Sequence, residues 1–347
     1  DFVGTPMPHG HTLREKGGML HRFGMDDAST GAMLRDLFAE GTLPEFTVAY
    51  FADNDYRSHE VGPHAALDVI ERVDRMLGEA FEAGGGIDRV LEKMCVVITS
   101  DHGHCDVLAD PRRAVIRLDE VLANYRHADL GRAWKGRDQI MICPNMRAAQ
   151  VYVRHPTPEL VERVARDLLG DTRVDQVFFK TALSSESAGY TALSGRGRLQ
   201  FAQAAGGGRH AADAFGGAWT WSGDAQVLDL QVERGEIEFG QYPNAFERIA
   251  GVLELEQSGE LWVTAKPGCE FEVPGGKAHV AGASHGALHA LDSYSPVIIA
   301  GGGTRRMLPP HMRSVDLAPL CMDLLGLRMR YGVGDPRQHV GRPAAHR

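Results

Sequence analysis

Two short apolar runs, FTVAYF at 46–51 and MCVVIT at 94–99, are each followed within a few residues by an aspartate and a histidine. The first leads into DNDYRSHEVGP, where Asp55 and His59 stand four residues apart. The second leads into SDHGHCD, where Asp101 and His102 are adjacent. β-branched and aromatic residues make each run a buried-strand candidate. Between them Leu67, Ile70, Val73, Leu77 and Phe81 keep a 3.6-residue period up to Gly84-Gly85-Gly86, which predicts a helix starting after Pro63. Strand, helix, strand is the unit of a parallel α/β sheet. Ligands collect at the carboxyl ends of strands in such sheets, so both Asp/His pairs are expected along one edge.

A helix is also expected in STGAMLRDLFAEG, with Ser29 or Thr30 as its cap and Gly41 as its stop. The middle of the chain reads differently. QVYVRH, PELVERVARDLLG and QVFFK suggest a small βαβ element at about 150–180. A Gly-rich, Arg-containing stretch and the strand-like AQVLDLQV and GEIEFG follow. From about 241 the earlier pattern returns: NAFERIAGVLEL as a helix, ELWVTAK and SPVIIAG as strands, and SVDLAPLCMDLLGL as a closing helix. The organisation read from this pattern is a core of residues 1–110 and 241–347 flanking an inserted cap or substrate region at 111–240.

Composition narrows the function classes. With 347 residues the chain can bury a sizeable core. No apolar run approaches the roughly 18–20 residues of a membrane span. The net charge of −9, with arginines scattered among acids, gives no footprint for nucleic acid and suits divalent cations. The five cysteines (Cys95, Cys105, Cys143, Cys269 and Cys321) have no CxxC spacing, so neither a disulfide framework nor a Cys-type zinc site is indicated. No signal peptide is visible in DFVGTPMPHG, and a chain starting at Asp leaves the compartment open.

An Asp and a His at i, i+4 can converge on one ion across a helical turn, whereas an adjacent Asp-His pair serves one ion or bridges to a second. Carboxylate plus imidazole is the donor set of zinc, manganese or iron hydrolases. His285, in the Gly-flanked turn of GASHGALHALDSYSPVIIAG, supplies a fifth donor, with His289 as its rival. Five protein ligands suggest two-metal hydrolysis.

YFADNDYRSHEVGP, VVITSDHGH, GASHGALHALDSYSPVIIAG and RSVDLAPLCMDLLGL, in this order, resemble the alkaline phosphatase superfamily, and most its type I phosphodiesterase/nucleotide pyrophosphatase branch. The resemblance implies an alkaline-phosphatase-like α/β sheet with helices on both faces, plus an inserted smaller α+β region. It implies two divalent ions, zinc or manganese. Asp55, His59 and His285 would hold one, and Asp101 and His102 the other. Family members complete the second ion with an N-terminal Asp and a Thr or Ser nucleophile, and the catalytic nucleophile is expected upstream of this chain, with Thr5 as the local candidate and Ser29 and Thr30 as competitors. Ser58 replaces the usual Gly before the metal histidine, and His104 occupies a position that is often apolar.

The expected substrate is a small-molecule phosphate ester, attacked in line at phosphorus. A phosphomonoesterase or a phosphomutase relative shares the ligands. A noncatalytic metal-binding protein on the same scaffold is the reading from another class. Taken alone, each Asp/His pair reads as a cap or a strand-end turn; their joint occurrence in family order favours ligation. His104, Cys105 and Asp106 read as a loop flank, and His9 and His11 as an adventitious binder. His279, Arg196 and Arg198 read as solvated surface, and Asp316 as a helix start.

Overall fold

The computed structural model describes residues 26–181, 189–204, 210–272, 277–302 and 311–327. The chain divides into two compact units, residues 26–100 with 296–302, and residues 101–295 with 311–327.

In the first unit, α1 (Asp27–Glu40) is capped by Asp26, whose carboxylate accepts from the Ser29 amide at 2.9 Å. Neither Ser29 nor Thr30 is the cap, because the helix begins one turn earlier than the apolar period shows. Gly41 stops the helix as expected, in the left-handed conformation (φ 66°) that only a residue without Cβ adopts at little cost. Next come α2 (Asp53–Val61), α3 (Leu67–Ala83), α4 (Ile87–Lys93) and β1 (Cys95–Thr99). Helices α1 and α3 pack closely at Gly31, where an added Cβ would lie 2.8 Å from the Met76 sulfur.

Helix α3 is present and the later part of the expected stripe is partly buried, Phe81 meeting Phe38 of α1 edge-on with ring centroids 5.7 Å apart, but the first turn departs from it. Val69 and Ala80 are buried, while Leu67 and Ile70 are exposed. Gly31 of α1 meets Met76 of α3, a contact that the period of the apolar residues in α3 does not reveal. FTVAYF forms no strand, and Phe46, Val48 and Tyr50 are exposed. A strand needs a ladder partner as well as a composition, and 46–51 has none among the described residues. MCVVIT is a strand, but β1 pairs antiparallel with residues 297–301, Ile98 opposite Ile298.

The second unit is built on a ten-stranded sheet. It opens with β2 (Cys105–Asp106), α5 (Pro111–Ala114), β3 (Val115–Arg117) and α6 (Leu118–Val121). The sheet strands follow: β4 (Ile140–Asn145), β5 (Ala148–Val153), then α7 (Pro158–Leu168), β6 (Val174–Thr181), β7 (Gly189–Ser194), β8 (Gly197–Gln203), β9 (Ala211–Ala212), β10 (Ala218–Gly223), β11 (Leu230–Glu233) and β12 (Glu236–Phe239). After α8 (Ala245–Leu253), β13 (Leu261–Ala265) completes it. The order is β11-β12-β9-β10-β8-β7-β6-β13-β5-β4.

Strand β13 lies between β5 and β6 and is antiparallel to both, so the expected βαβ element is a split one with a later strand inserted in its middle. The chain therefore has the mixed α/β character expected, with mainly antiparallel pairing. Parallel pairing among the described strands is confined to β12 with β9 and to β14 (Glu270–Glu272) with β3.

Strand β13 also explains how the sheet is covered. All five of its residues are buried. Leu261, Val263 and Ala265 join a core with Val164, Ala165 and Leu168 of α7, whereas Trp262 joins a second core with Phe246 and Ile249 of α8. Alternate residues of a strand face opposite sides, so a helix lies on each face of this sheet. On the α8 side Phe246 stacks on Phe201, with ring centroids 4.1 Å apart. Short elements carry the chain onward: β15 (Ala283–Ser284), α9 (Ala290–Ser293), β16 (Val297–Gly301) and α10 (Leu317–Leu324).

Candidate metal centre

In the first unit the Asp55/His59 pair sits on α2, where i, i+4 spacing stacks the side chains over one turn. Asp55 Oδ1 lies 3.5 Å from His59 Nε2, and the His59 side chain is only 9% exposed. Helix α2 is anchored at its start to α1. The Asp53 amide donates to Asp27 Oδ1 at 3.0 Å, and the Asp27 amide faces Asp53 Oδ2 at 3.4 Å. Burial pushes the Asp27 carboxyl up, and the Asp53 amide offsets part of that shift. Of the competing nucleophile candidates, the Ser29 hydroxyl donates to Asp26 at 2.8 Å and the Thr30 hydroxyl to the Tyr50 carbonyl at 3.0 Å. Both are committed to local structure. Thr5 lies outside the described residues, as do His9 and His11.

In the second unit His102 and His285 meet directly. Strand β2 pairs antiparallel with β15, Cys105 opposite Ser284 and Asp106 opposite Ala283. His104 and His285 are the residues that directly flank the Cys105/Ser284 pair of that ladder. His102 stands two residues before His104, on the same side of an extended segment. The imidazoles of His102 and His285 stack at 3.6 Å, and that of His104 lies 5.1 and 5.2 Å from them. Each of the three offers a ring nitrogen, all within 4.8 Å of one another. Sequence reasoning set His104 aside; the His-x-His spacing in HGH was the signal that places it with His102.

The His102 ring is oriented by its own loop. Nδ1 lies 3.1 Å from the Gly103 carbonyl, which can only accept, so Nδ1 carries the proton and Nε2 presents a lone pair. Asp101 Oδ2 is 3.7 Å from that Nε2, and Asp101 Oδ1 accepts from the His102 amide at 3.1 Å.

Both histidine loops are tied to one buried ion pair. Arg147 and Asp292 form a salt bridge with neither side chain exposed. Arg147 also donates to the carbonyls of Ala265 (3.1 Å) and Cys269 (3.3 Å), and its amide donates to the His285 carbonyl at 3.0 Å. Asp292 Oδ2 accepts from the Ala287 amide at 2.7 Å, and the Asp292 carbonyl accepts from the Gly103 amide at 3.0 Å. Arg248 donates to the Leu288 carbonyl at 3.0 Å, and burial pushes its guanidinium down to about 10.

The remaining sequence candidates have structural partners. His289 caps α9, accepting from the Leu291 amide through Nδ1 at 3.2 Å, so Nε2 is the donor to Gln241 Oε1 at 3.3 Å. Both its nitrogens are committed, and burial, with Arg147 adding to it, lowers its affinity for a second proton. That leaves His285 as the donor of its turn. His279 is no solvated loop residue: Nδ1 faces the buried Glu270 at 2.9 Å. Arg196 is exposed as expected, its side chain 39% accessible, yet it also donates to Tyr242 (2.7 Å) and Asp175 (3.3 Å), while Arg198 pairs with Glu162 at 2.8 Å. Asp316 is a buried partner of Arg313, with Nη2 at 2.8 Å, as well as a helix-start residue. Cys105 is buried, and that burial pushes its thiol up.

Comparison with known proteins fits these motifs. Residues 14–288 match the model of the type I phosphodiesterase / nucleotide pyrophosphatase family, and the chain belongs to that family. Short stretches are similar to 2,3-bisphosphoglycerate-independent phosphoglycerate mutases. One from Wolinella succinogenes is 33% identical over 84 residues, covering 22% of this chain and 16% of the mutase. One from Campylobacter jejuni is 35% identical over 68 residues, 20% of this chain and 13% of the mutase. The chain thus matches well under two thirds of those relatives' length. Among solved structures, phosphonoacetate hydrolase from Sinorhizobium meliloti 1021 in complex with phosphonoacetate superposes with a TM-score of 0.46 at 14% identity, over 86% of this chain and 57% of that one. Human ectonucleotide pyrophosphatase / phosphodiesterase 5 gives 0.45 at 14% identity, over 96% and 65%. No helix among the described residues is long and apolar enough to cross a membrane.

Proposed function

We propose that the chain serves a phosphodiester hydrolase that uses two divalent metal ions, Asp55, His59 and His285 serving one ion and Asp101 and His102 the other. The observation that carries this reading is the convergence of His102 and His285, with Asp101 beside His102 and the His102 lone pair set by the Gly103 carbonyl. Family membership supports it. The residues suit the ions: carboxylate and imidazole donors in these pairs match zinc first, and manganese or iron next. Bound ions would lower the pKa of an attacking hydroxyl and balance charge on the leaving oxygen.

The chain's own residues do the positioning. Helix α2 presents Asp55 and His59 from one turn, and the Gly103 carbonyl fixes the His102 tautomer. Arg147 and Asp292 hold the backbone at His285 and just after it, through the His285 carbonyl and the Ala287 amide. A phosphomutase-type reaction is the second reading, favoured by the similarity to phosphoglycerate mutases. The substrate in either case is a small phosphate ester.

The test is hydrolysis of bis-p-nitrophenyl phosphate against p-nitrophenyl phosphate, with zinc or manganese, by the protein and by His59→Ala. The diester is expected to be preferred, and the substitution to lower kcat/KM by at least about tenfold through weaker metal binding. Equal rates for the protein and the variant would sink the metal-site assignment. Metal binding without hydrolysis of either ester would leave the noncatalytic reading.

A further inference from the structure

We infer that His104 is a further metal ligand of this centre, adding an imidazole to His102 and His285 and biasing the site toward zinc over manganese or magnesium. This rests on the metal-hydrolase reading and deepens it. Three independent features of the second unit point the same way. His104 and His285 each directly flank the β2–β15 ladder, next to its Cys105/Ser284 pair, so the pairing of the two strands brings them close, with ring centroids 5.2 Å apart. Two-residue spacing puts His102 and His104 on one side of the segment, with Gly103 between them pressed against the backbone of Leu291 and Tyr294. The rings of 104 and 285 are nearly perpendicular, 85° apart, so their in-plane lone pairs can approach a common point from different directions.

Imidazole nitrogen is a borderline donor that suits zinc, copper and nickel, whereas magnesium and manganese prefer oxygen ligands. Replacing an oxygen or water ligand by a third local imidazole therefore raises zinc affinity more than manganese affinity. A loop-flank role for His104 predicts no such discrimination.

Two measurements test the inference. In the first, the wild-type protein is stripped with a chelator and treated with diethyl pyrocarbonate, with and without zinc, and acylation of each histidine is read by peptide mass spectrometry. Zinc is expected to slow acylation of His102, His104 and His285 together. Protection of His102 and His285 with His104 acylated at an unchanged rate would overturn the inference and leave the hydrolase reading intact. Absence of zinc binding by the wild-type protein would instead bring down the hydrolase reading on which the inference rests. In the second, His104→Asn and His104→Gln are compared with wild type by zinc and manganese titration calorimetry. The expected loss is roughly 10–100-fold in zinc affinity, with a smaller change for manganese. Unchanged zinc affinity in either folded variant would also overturn the inference. The protection experiment uses no variant, so it decides the matter even where a substitution disturbs folding.

Discussion

Asp292→Ala is expected to lower the free energy of unfolding by about 3–5 kcal/mol, because removing one partner of a buried ion pair strands the other charge without water. Neither side chain of the Arg147–Asp292 pair is exposed, and the Arg147 guanidinium would keep only the Ala265 and Cys269 carbonyls. The Ala287 amide would also lose its acceptor, at a further cost of about 1–3 kcal/mol if it stays buried. Equilibrium urea denaturation measures the sum. Asp292→Asn keeps an acceptor for Ala287 while deleting the charge, so comparing the two variants separates the stranded arginine from the lost hydrogen bond. A loss below about 1 kcal/mol in Asp292→Ala would show that water reaches Arg147. Because Asp292 holds the segment just after His285, zinc binding should weaken in the same variants.

Gly103→Ala is the second large expectation, and its cause is space rather than conformation. A methyl group there would run into the Leu291 carbonyl and lie 3.1 Å from the Tyr294 oxygen, both backbone atoms that cannot swing aside. Relief requires moving the segment that carries His102 and His104 away from His285. Overpacking of this kind costs roughly 1–3 kcal/mol, and the displaced imidazoles should bind zinc about 10–100-fold more weakly, as loss of ligand positioning does elsewhere. Titration calorimetry and the urea midpoint read the two effects. Gly286 offers the contrast. An added methyl there has room, with the Asn145 carbonyl oxygen 3.5 Å away, but its φ of 105° is one that L side chains rarely adopt. Gly286→Ala should therefore destabilise through backbone strain at the His285 turn. An unaffected zinc affinity in Gly103→Ala would show that the HGH segment is not held by the Leu291–Tyr294 backbone.

Much of the local structure was legible because it is written in nearest-neighbour chemistry. The i, i+4 spacing of Asp55 and His59 suits one helical turn, although the helix that carries them, Asp53–Val61, was not expected, and Gly41 ends α1 for the reason its lack of Cβ gives. Motif order pointed to the family that residues 14–288 match. Features that depend on a distant partner were misread. FTVAYF has strand composition, yet no strand pairs with it among the described residues, and Leu67 and Ile70 are exposed although they keep the apolar period of α3. A parallel sheet was expected from strand-helix-strand order, whereas β1 pairs antiparallel with a segment nearly 200 residues later.

The sequence by itself determined that aspartate and histidine stand together as Asp55/His59 and Asp101/His102, and the mixed α/β character, since spacing and composition are properties of a local stretch. Tertiary structure alone decided that β13 enters between β5 and β6, and that Arg147 closes on Asp292. It also decided that His104 joins His102 and His285. Each of these depends on register between segments far apart in the chain, and register is set by burial of one face against another, which no single stretch encodes.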